Sequence, residues 1–153
     1  MSPLALVVLL PLLAGTTLCW AAGRSGTPAA RRATAWLAAG VTGAALALLL
    51  SQAGAVFGGQ VLLAQADWLP AIGLNLGLRI DGLALMFALL ITGIGLLIIL
   101  YAAWYLHADD PAGKFYSLLM LFMAAMLGIA LSDNLLLLVV FWELTSISSF
   151  LLV

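Results

Sequence analysis

With 153 residues, 66% of them hydrophobic and 7% charged, and a mean hydropathy of +1.27, the chain lies far outside the range of water-soluble folds. Five basic and six acidic residues leave a net charge of -1, which excludes a basic surface able to hold nucleic acid by counterion release. The single cysteine, Cys19, has no intrachain partner, and no His/Cys cluster has metal-ligand spacing, so no disulfide, metal site or cofactor is expected.

A transmembrane helix needs roughly 20 mostly apolar residues to cross about 30 Å of hydrocarbon. The first such run is Pro3–Ala22. Ala21-Ala22-Gly23 imitates a signal-peptide cleavage site, but no Lys or Arg precedes Arg24 and the run is long enough to span, so it reads as a retained helix. Four more spans follow at Ala33–Phe57, Gly82–Leu106, Phe115–Leu131 and Leu135–Val153. The expected fold is all-α, a polytopic bundle of about five spans forming a single membrane domain in contact with the lipid bilayer. The first loop holds Arg24, Arg31 and Arg32, so the positive-inside rule places it in the cytoplasm and the N-terminus outside. The loop with His107, Asp109, Asp110 and Lys114 then faces inward, and Ser132-Asp133-Asn134 faces outward. Lys114 agrees with this orientation; Arg79, on the outer side, is the exception.

Between the second and third spans the period changes. Ile72, Leu74, Leu76, Leu78 and Ile80 alternate with Gly73, Asn75, Gly77 and Arg79, a period of two that a helix cannot satisfy. The run reads as a β-strand. Pro70 and the earlier Val61–Leu63 suggest a short hairpin on the outer membrane surface. Asp81 then stands as the N-cap of the third helix. Gly54 and Gly58, a small-xxx-small pair, and Gly93 and Gly95 are expected where helices approach closely.

One ionisable side chain stands within a span and away from every boundary: Glu143. It follows Asn134 by nine residues, and at about 1.5 Å per residue this puts it roughly 13 Å into the membrane, near the midplane. A charge there costs about 2.5–3.5 kcal/mol on insertion scales, so such residues face a protein interior or a hydrated cavity. Desolvation raises a carboxyl pKa and a nearby cation lowers it, so a carboxyl held between the two can bind and release a proton as its neighbour moves. Ser146 and Ser149 extend a polar strip on the side next to Glu143, whereas Thr145 and Ser148 point toward the opposite side. The plainer reading is a protonated Glu143 that packs helices by hydrogen bonding, in a bundle of purely structural role. Asp133 and Asn134 read as helix caps before they read as an ion entry point, and His107 as an interfacial loop residue. Tyr101, Trp104 and Tyr105 suit an aromatic belt, while Trp142 is too deep for one.

Ser132-Asp133-Asn134-Leu135, followed by Phe141-Trp142-Glu143-Leu144-Thr145-Ser146-Ile147-Ser148-Ser149-Phe150, resembles the A subunit of Mrp-type multisubunit Na⁺/H⁺ antiporters. That family is grouped with the antiporter-like proton-pumping subunits of respiratory complex I. Asp81–Gly95 and Leu121–Gly128 fit the same pattern, so the resemblance covers about Ile80 to Val153; the first two spans match in character only. It implies a multi-pass protein of a prokaryotic cell membrane that works with other membrane subunits of the complex and moves H⁺ and Na⁺. It also implies that Glu143 matches a fifth-helix glutamate that pairs with a lysine on a later helix and takes part in proton movement. The family has an outer-side hairpin between its second and third helices and continues for many further helices. The chain is therefore expected to be an N-terminal fragment, inactive alone. The alternative is a proton-pumping membrane subunit of complex I or of a membrane-bound hydrogenase, whose electron transfer resides on other chains.

The orientation is checked by placing a cysteine at Ala30 in whole cells: an impermeant thiol reagent is expected to label it only after the cytoplasmic face is opened.

Overall fold

The computed structural model describes residues 3–22, 28–69, 74–106 and 111–153. Arg24, Pro70, Ile72, Gly73, His107, Asp109 and Asp110 lie outside the described residues, so the expectations placed on them are left there. Five helices follow in order: α1 (Pro3–Ala22), α2 (Pro28–Phe57), α3 (Gly82–Tyr105), α4 (Ala112–Leu131) and α5 (Leu135–Leu152). Strands β1 (Leu62–Leu69) and β2 (Leu74–Ile80) form an antiparallel hairpin between α2 and α3. Among the described residues, α2 to α5 are each long and apolar enough to cross a membrane, and Pro3–Thr17 forms a shorter apolar helix. The chain is a polytopic helical membrane protein with a two-stranded hairpin between its second and third helices.

Two helices begin earlier than hydropathy alone suggests. α2 starts at Pro28 instead of Ala33, because proline suits the first helical turn and the arginines Arg31 and Arg32 hide the start from an apolar count. α4 starts at Ala112 instead of Phe115, with Lys114 in its first turn. At its far end α2 stops in a Schellman motif. Gly59, at φ 84°, donates its N–H to Val56 O at 3.0 Å, and Gln60 donates to Ala55 O at 3.1 Å. Only glycine takes that φ without strain.

Helix α4 is the hub. In lipid no hydrophobic force drives one helix onto another, so close contact depends on small residues and interhelical hydrogen bonds. α1 meets α4 where Gly15 lies against the Ser117 and Leu121 backbone, and the Ser117 hydroxyl donates to Gly15 O. α2 meets it through buried Thr42, whose hydroxyl lies 2.9 Å from Ala38 O and 3.6 Å from Met120 Sδ. α3 meets it where Gly95 makes room for Met123: a Cβ on this glycine would stand 2.7 Å from the sulfur. α5 meets it where the Phe141 ring lies on Gly128, so a Cβ there would clash with the ring carbons.

These contacts redistribute the roles expected of the glycines. Gly95 packs between helices, but Gly54 and Gly93 have nothing within 4 Å of where a Cβ would stand, and Gly58 meets only carbonyls of its own turn. The Gly54/Gly58 pair thus lies next to a helix terminator and is not a packing seam; the close approaches are made by Gly15, Gly95 and Gly128.

The hairpin closes one end of the bundle. Its register pairs Leu62 with Ile80, Ala64 with Leu78 and Ala66 with Leu76, with an irregularity between Ala66 and Leu69. The alternation in β2 buries Leu78 and Ile80 in the core and leaves Arg79 exposed. β1 is longer than the Val61–Leu63 arm expected from sequence. At the other end of α3, Tyr101 and Tyr105 stack at 5.2 Å and Trp104 is exposed.

Because Gly128 has no space for a methyl group and Gly54 has ample space, their alanine variants are expected to diverge. Gly128→Ala loses about 1–3 kcal/mol by overpacking, whereas Gly54→Ala loses nothing; reversible unfolding in detergent reads both.

Candidate functional site: a mid-helix carboxylate and the hairpin corner

Asn134 starts α5. Its side-chain oxygen accepts from the backbone N–H groups of Leu136 at 2.9 Å and Leu137 at 3.4 Å, satisfying two of the donors that every helix start leaves open. From that cap the helix runs 18 residues, and Glu143 is the ninth. Leu137, Phe141, Thr145 and Ser148 are buried toward the bundle. At 3.6 residues per turn Glu143 projects from the opposite side, and it is exposed together with Trp142, Ser146, Ser149 and Phe150.

The carboxylate therefore faces away from its own five helices, and among the described residues no Lys or Arg pairs with it. The hydroxyls of its helix are mostly turned inward on the backbone. Thr145 donates to Trp142 O at 2.6 Å, Ser146 to the same oxygen at 3.3 Å, and Ser148 to Leu144 O at 2.7 Å. Such bonds satisfy a hydroxyl proton in an apolar setting and leave its oxygen as an acceptor. Glu143, Ser146 and Ser149 thus share an open face, and Thr145 and Ser148 share the buried one.

A second polar group gathers at the hairpin. Asp81 caps α3, its Oδ1 accepting from the Ala84 N–H at 2.9 Å. Its Oδ2 accepts from Arg79 Nη2 at 2.5 Å, a pairing that follows from strand geometry, since residues two apart share a face. Arg79 Nη1 lies 3.9 Å from Asp133 Oδ1. Asp133 stands just before the α5 cap and makes no cap of its own; its backbone N–H donates to Gly77 O at 2.8 Å, and Leu78 bridges to Ser132. A cleft of about 280 Å³ lies along this corner, with Arg79, Asp81, Ser132 and Asp133 among its walls.

The Ala84 N–H, and after it the Arg79 guanidinium, hold the Asp81 carboxyl below its ordinary value of 3.8, while Asp81 raises Arg79. Sequence reasoning met Arg79 only as an exception to the charge rule. The readable signal was its place two residues before an acidic helix cap; its approach to Asp133 is a tertiary fact.

Comparisons with known proteins agree with this architecture. Residues 68–117 match the family model described as NADH-ubiquinone oxidoreductase (complex I), chain 5 N-terminus. The chain is 54% identical over 95 residues, 62% of its length, to the A1 subunit of a Na⁺/H⁺ antiporter of Staphylococcus haemolyticus. It is 49% identical over 126 residues, 80% of its length, to the A/B subunit of a probable K⁺/H⁺ antiporter of Rhizobium meliloti. It spans 12% of the length of each of these relatives. Among solved structures, 98% of the chain superposes on 16% of a chain in the Mrp complex from a Dietzia species, with a TM-score of 0.78 and 29% identity. A membrane-bound sulfane sulfur reductase, an archaeal respiratory membrane complex, shares the fold over 97% of this chain and 22% of its own, with a TM-score of 0.79 and 20% identity.

The class defined by this fold and these matches is that of the antiporter-like membrane subunits, the superfamily that includes the complex I subunits of that type. Within it, the chain belongs with the N-terminal part of the A subunit of Mrp-type antiporters.

A carboxyl with a lowered folded pKa contributes its full stability above its ordinary value and loses it as pH falls through the lower one. The α3 cap is therefore expected to hold across neutral pH and to weaken only below about 3.8. The Ala84 amide resonance in nanodiscs reads this: it moves in acid in the natural sequence and stays put in Asp81→Asn.

Proposed function

We propose that the chain acts within the membrane subunit of a multisubunit cation/proton antiporter, which exchanges cytoplasmic Na⁺ for external H⁺ using the proton gradient. Residues 1–153 form one membrane unit of that larger protein, and Glu143 is the group that takes up and releases the proton. The observation that carries this reading is the position of Glu143, at the middle of α5 and facing out of its own bundle. A carboxyl so placed must meet its cation from outside these five helices. The family resemblance supplies a lysine of a later helix for that role.

The chemistry follows from the balance of two effects. Low dielectric favours the neutral acid, and an approaching ammonium favours the carboxylate. When the cation approaches, Glu143 gives up its proton; when the cation withdraws, the carboxylate is isolated and takes one up. If each position opens toward a different side of the membrane, one proton crosses per cycle. Ser146 and Ser149, on the same open face, offer hydroxyl oxygens to a hydrated path leading to the carboxyl. No covalent chemistry is required, so the reading is of a transporter component, not an enzyme.

The relatives' printed names support Na⁺ or K⁺ as the exchanged cation and other subunits of an antiporter complex as partners. The three arginines near the first loop support a cytoplasmic placement of that loop, an external N-terminus and an external hairpin, in the plasma membrane of a prokaryote. A second reading, a proton-pumping subunit of a redox-driven complex, is favoured by the description of the matching family model. Co-purification separates the two: quinone-reductase or hydrogenase subunits in the natural complex would favour the second.

Glu143→Gln in the complete transporter keeps the shape of the side chain and removes its charge. It is expected to abolish cation-driven proton movement in everted vesicles while the complex assembles normally; unchanged exchange would reject the proton role.

A further inference from the structure

The hairpin is joined to the start of the helix that carries Glu143 by two contacts, one between side chains and one between backbones. Arg79 Nη1 approaches Asp133 Oδ1 at 3.9 Å, and Asp133 N–H donates to Gly77 O at 2.8 Å, which sets Leu78 opposite Ser132 in an antiparallel bridge. The same Arg79 holds Asp81, the cap of α3, at 2.5 Å. One guanidinium thus links the starts of two helices to the strand between them. Its fork of donors is suited to this, because two carboxylates can be engaged from different nitrogens of one rigid plane.

The placement matters for what lies further along α5. Asn134, the cap, directly follows Asp133, and Glu143 lies nine residues beyond the cap on one unbroken helix. The described part of α5 contains no proline or glycine to absorb a shift, so a change at its start is carried along the rod to the carboxylate. We infer that Arg79 is a positioning residue: by bracing Asp133 against the hairpin and the α3 cap, it fixes the depth and tilt of α5 and hence where Glu143 meets its cation. This rests on the proton role proposed for Glu143.

The tie is also polar where its surroundings allow. The Arg79 and Asp133 side chains are 48% and 32% exposed, so the pair contributes little to stability by itself. Leu78 and Ile80, buried in the core on either side of Arg79, supply the adhesion of the strand. A brace of this kind sets geometry without holding the fold together, so its loss should alter transport before it alters assembly.

Arg79→Gln and Arg79→Lys in the complete transporter test the inference. The glutamine variant is expected to assemble, to lose about tenfold or more of its exchange rate and to shift its pH profile, since a small misplacement of a reacting group is enough to cost that much. Lysine keeps the charge and is expected to restore part of both. In parallel, the pair Leu78→Cys/Ser132→Cys reports the hairpin–α5 junction directly: its disulfide yield is expected to fall when Arg79→Gln is added. Exchange and pH profile unchanged in Arg79→Gln would overturn the inference, as would an unchanged disulfide yield alongside lost exchange. Should Glu143→Gln itself leave exchange intact, the proton reading fails and the brace no longer serves it, whereas a loss of cross-linking would still register the junction on its own.

Discussion

A charged group in hydrocarbon is stable only if the surrounding protein receives it, and this constraint governs the arrangement of α5. Its buried side is apolar apart from two hydroxyls, and those donate to carbonyls of their own helix. Its open side carries the carboxylate and two serines. The five helices therefore pack well among themselves while leaving their most costly residue outside their own core. The proton role proposed for Glu143 rests on this exposure.

The remainder of the structure serves that exposure. α4 gathers the other helices through three glycines and a few hydroxyls, so α5 is seated firmly along its Phe141 side. The caps at Asp81 and Asn134 and the hairpin between them fix where α3 and α5 begin. In a bilayer every backbone group needs an internal partner, and non-helical backbone is tolerated only at the ends or beside protein. The hairpin meets this by pairing its two strands and lending Gly77 O and Leu78 to the α4–α5 turn.

Much of this was legible in the residues themselves. Apolar run length revealed five helices, because the bilayer demands length and hydropathy together. The two-residue alternation from Leu74 to Ile80 revealed β2, whereas β1 was mostly hidden, since Leu62-Leu63-Ala64-Gln65-Ala66 does not alternate cleanly. The start of α2 was missed where Arg31 and Arg32 broke the apolar pattern. The mid-helix position of Glu143 followed from counting, whereas its exposure outside these five helices did not, because which face of α5 is buried depends on the packing against α4. The glycine roles did not follow: a glycine packs or terminates according to what stands opposite, and neither Phe141 over Gly128 nor Met123 beside Gly95 is visible locally. The same is true of Arg79, whose second partner lies in a distant turn.

The central claim is that the Glu143 carboxyl changes protonation in response to a neighbouring cation instead of bulk solvent. Infrared difference spectroscopy on the assembled transporter, comparing the natural sequence with Glu143→Gln across pH, tests this most directly. The account predicts a protonated-carboxyl band, absent from the glutamine variant, whose intensity changes when the transported cation is added. A carboxyl band that ignores the cation, or that persists unchanged in Glu143→Gln, would contradict it.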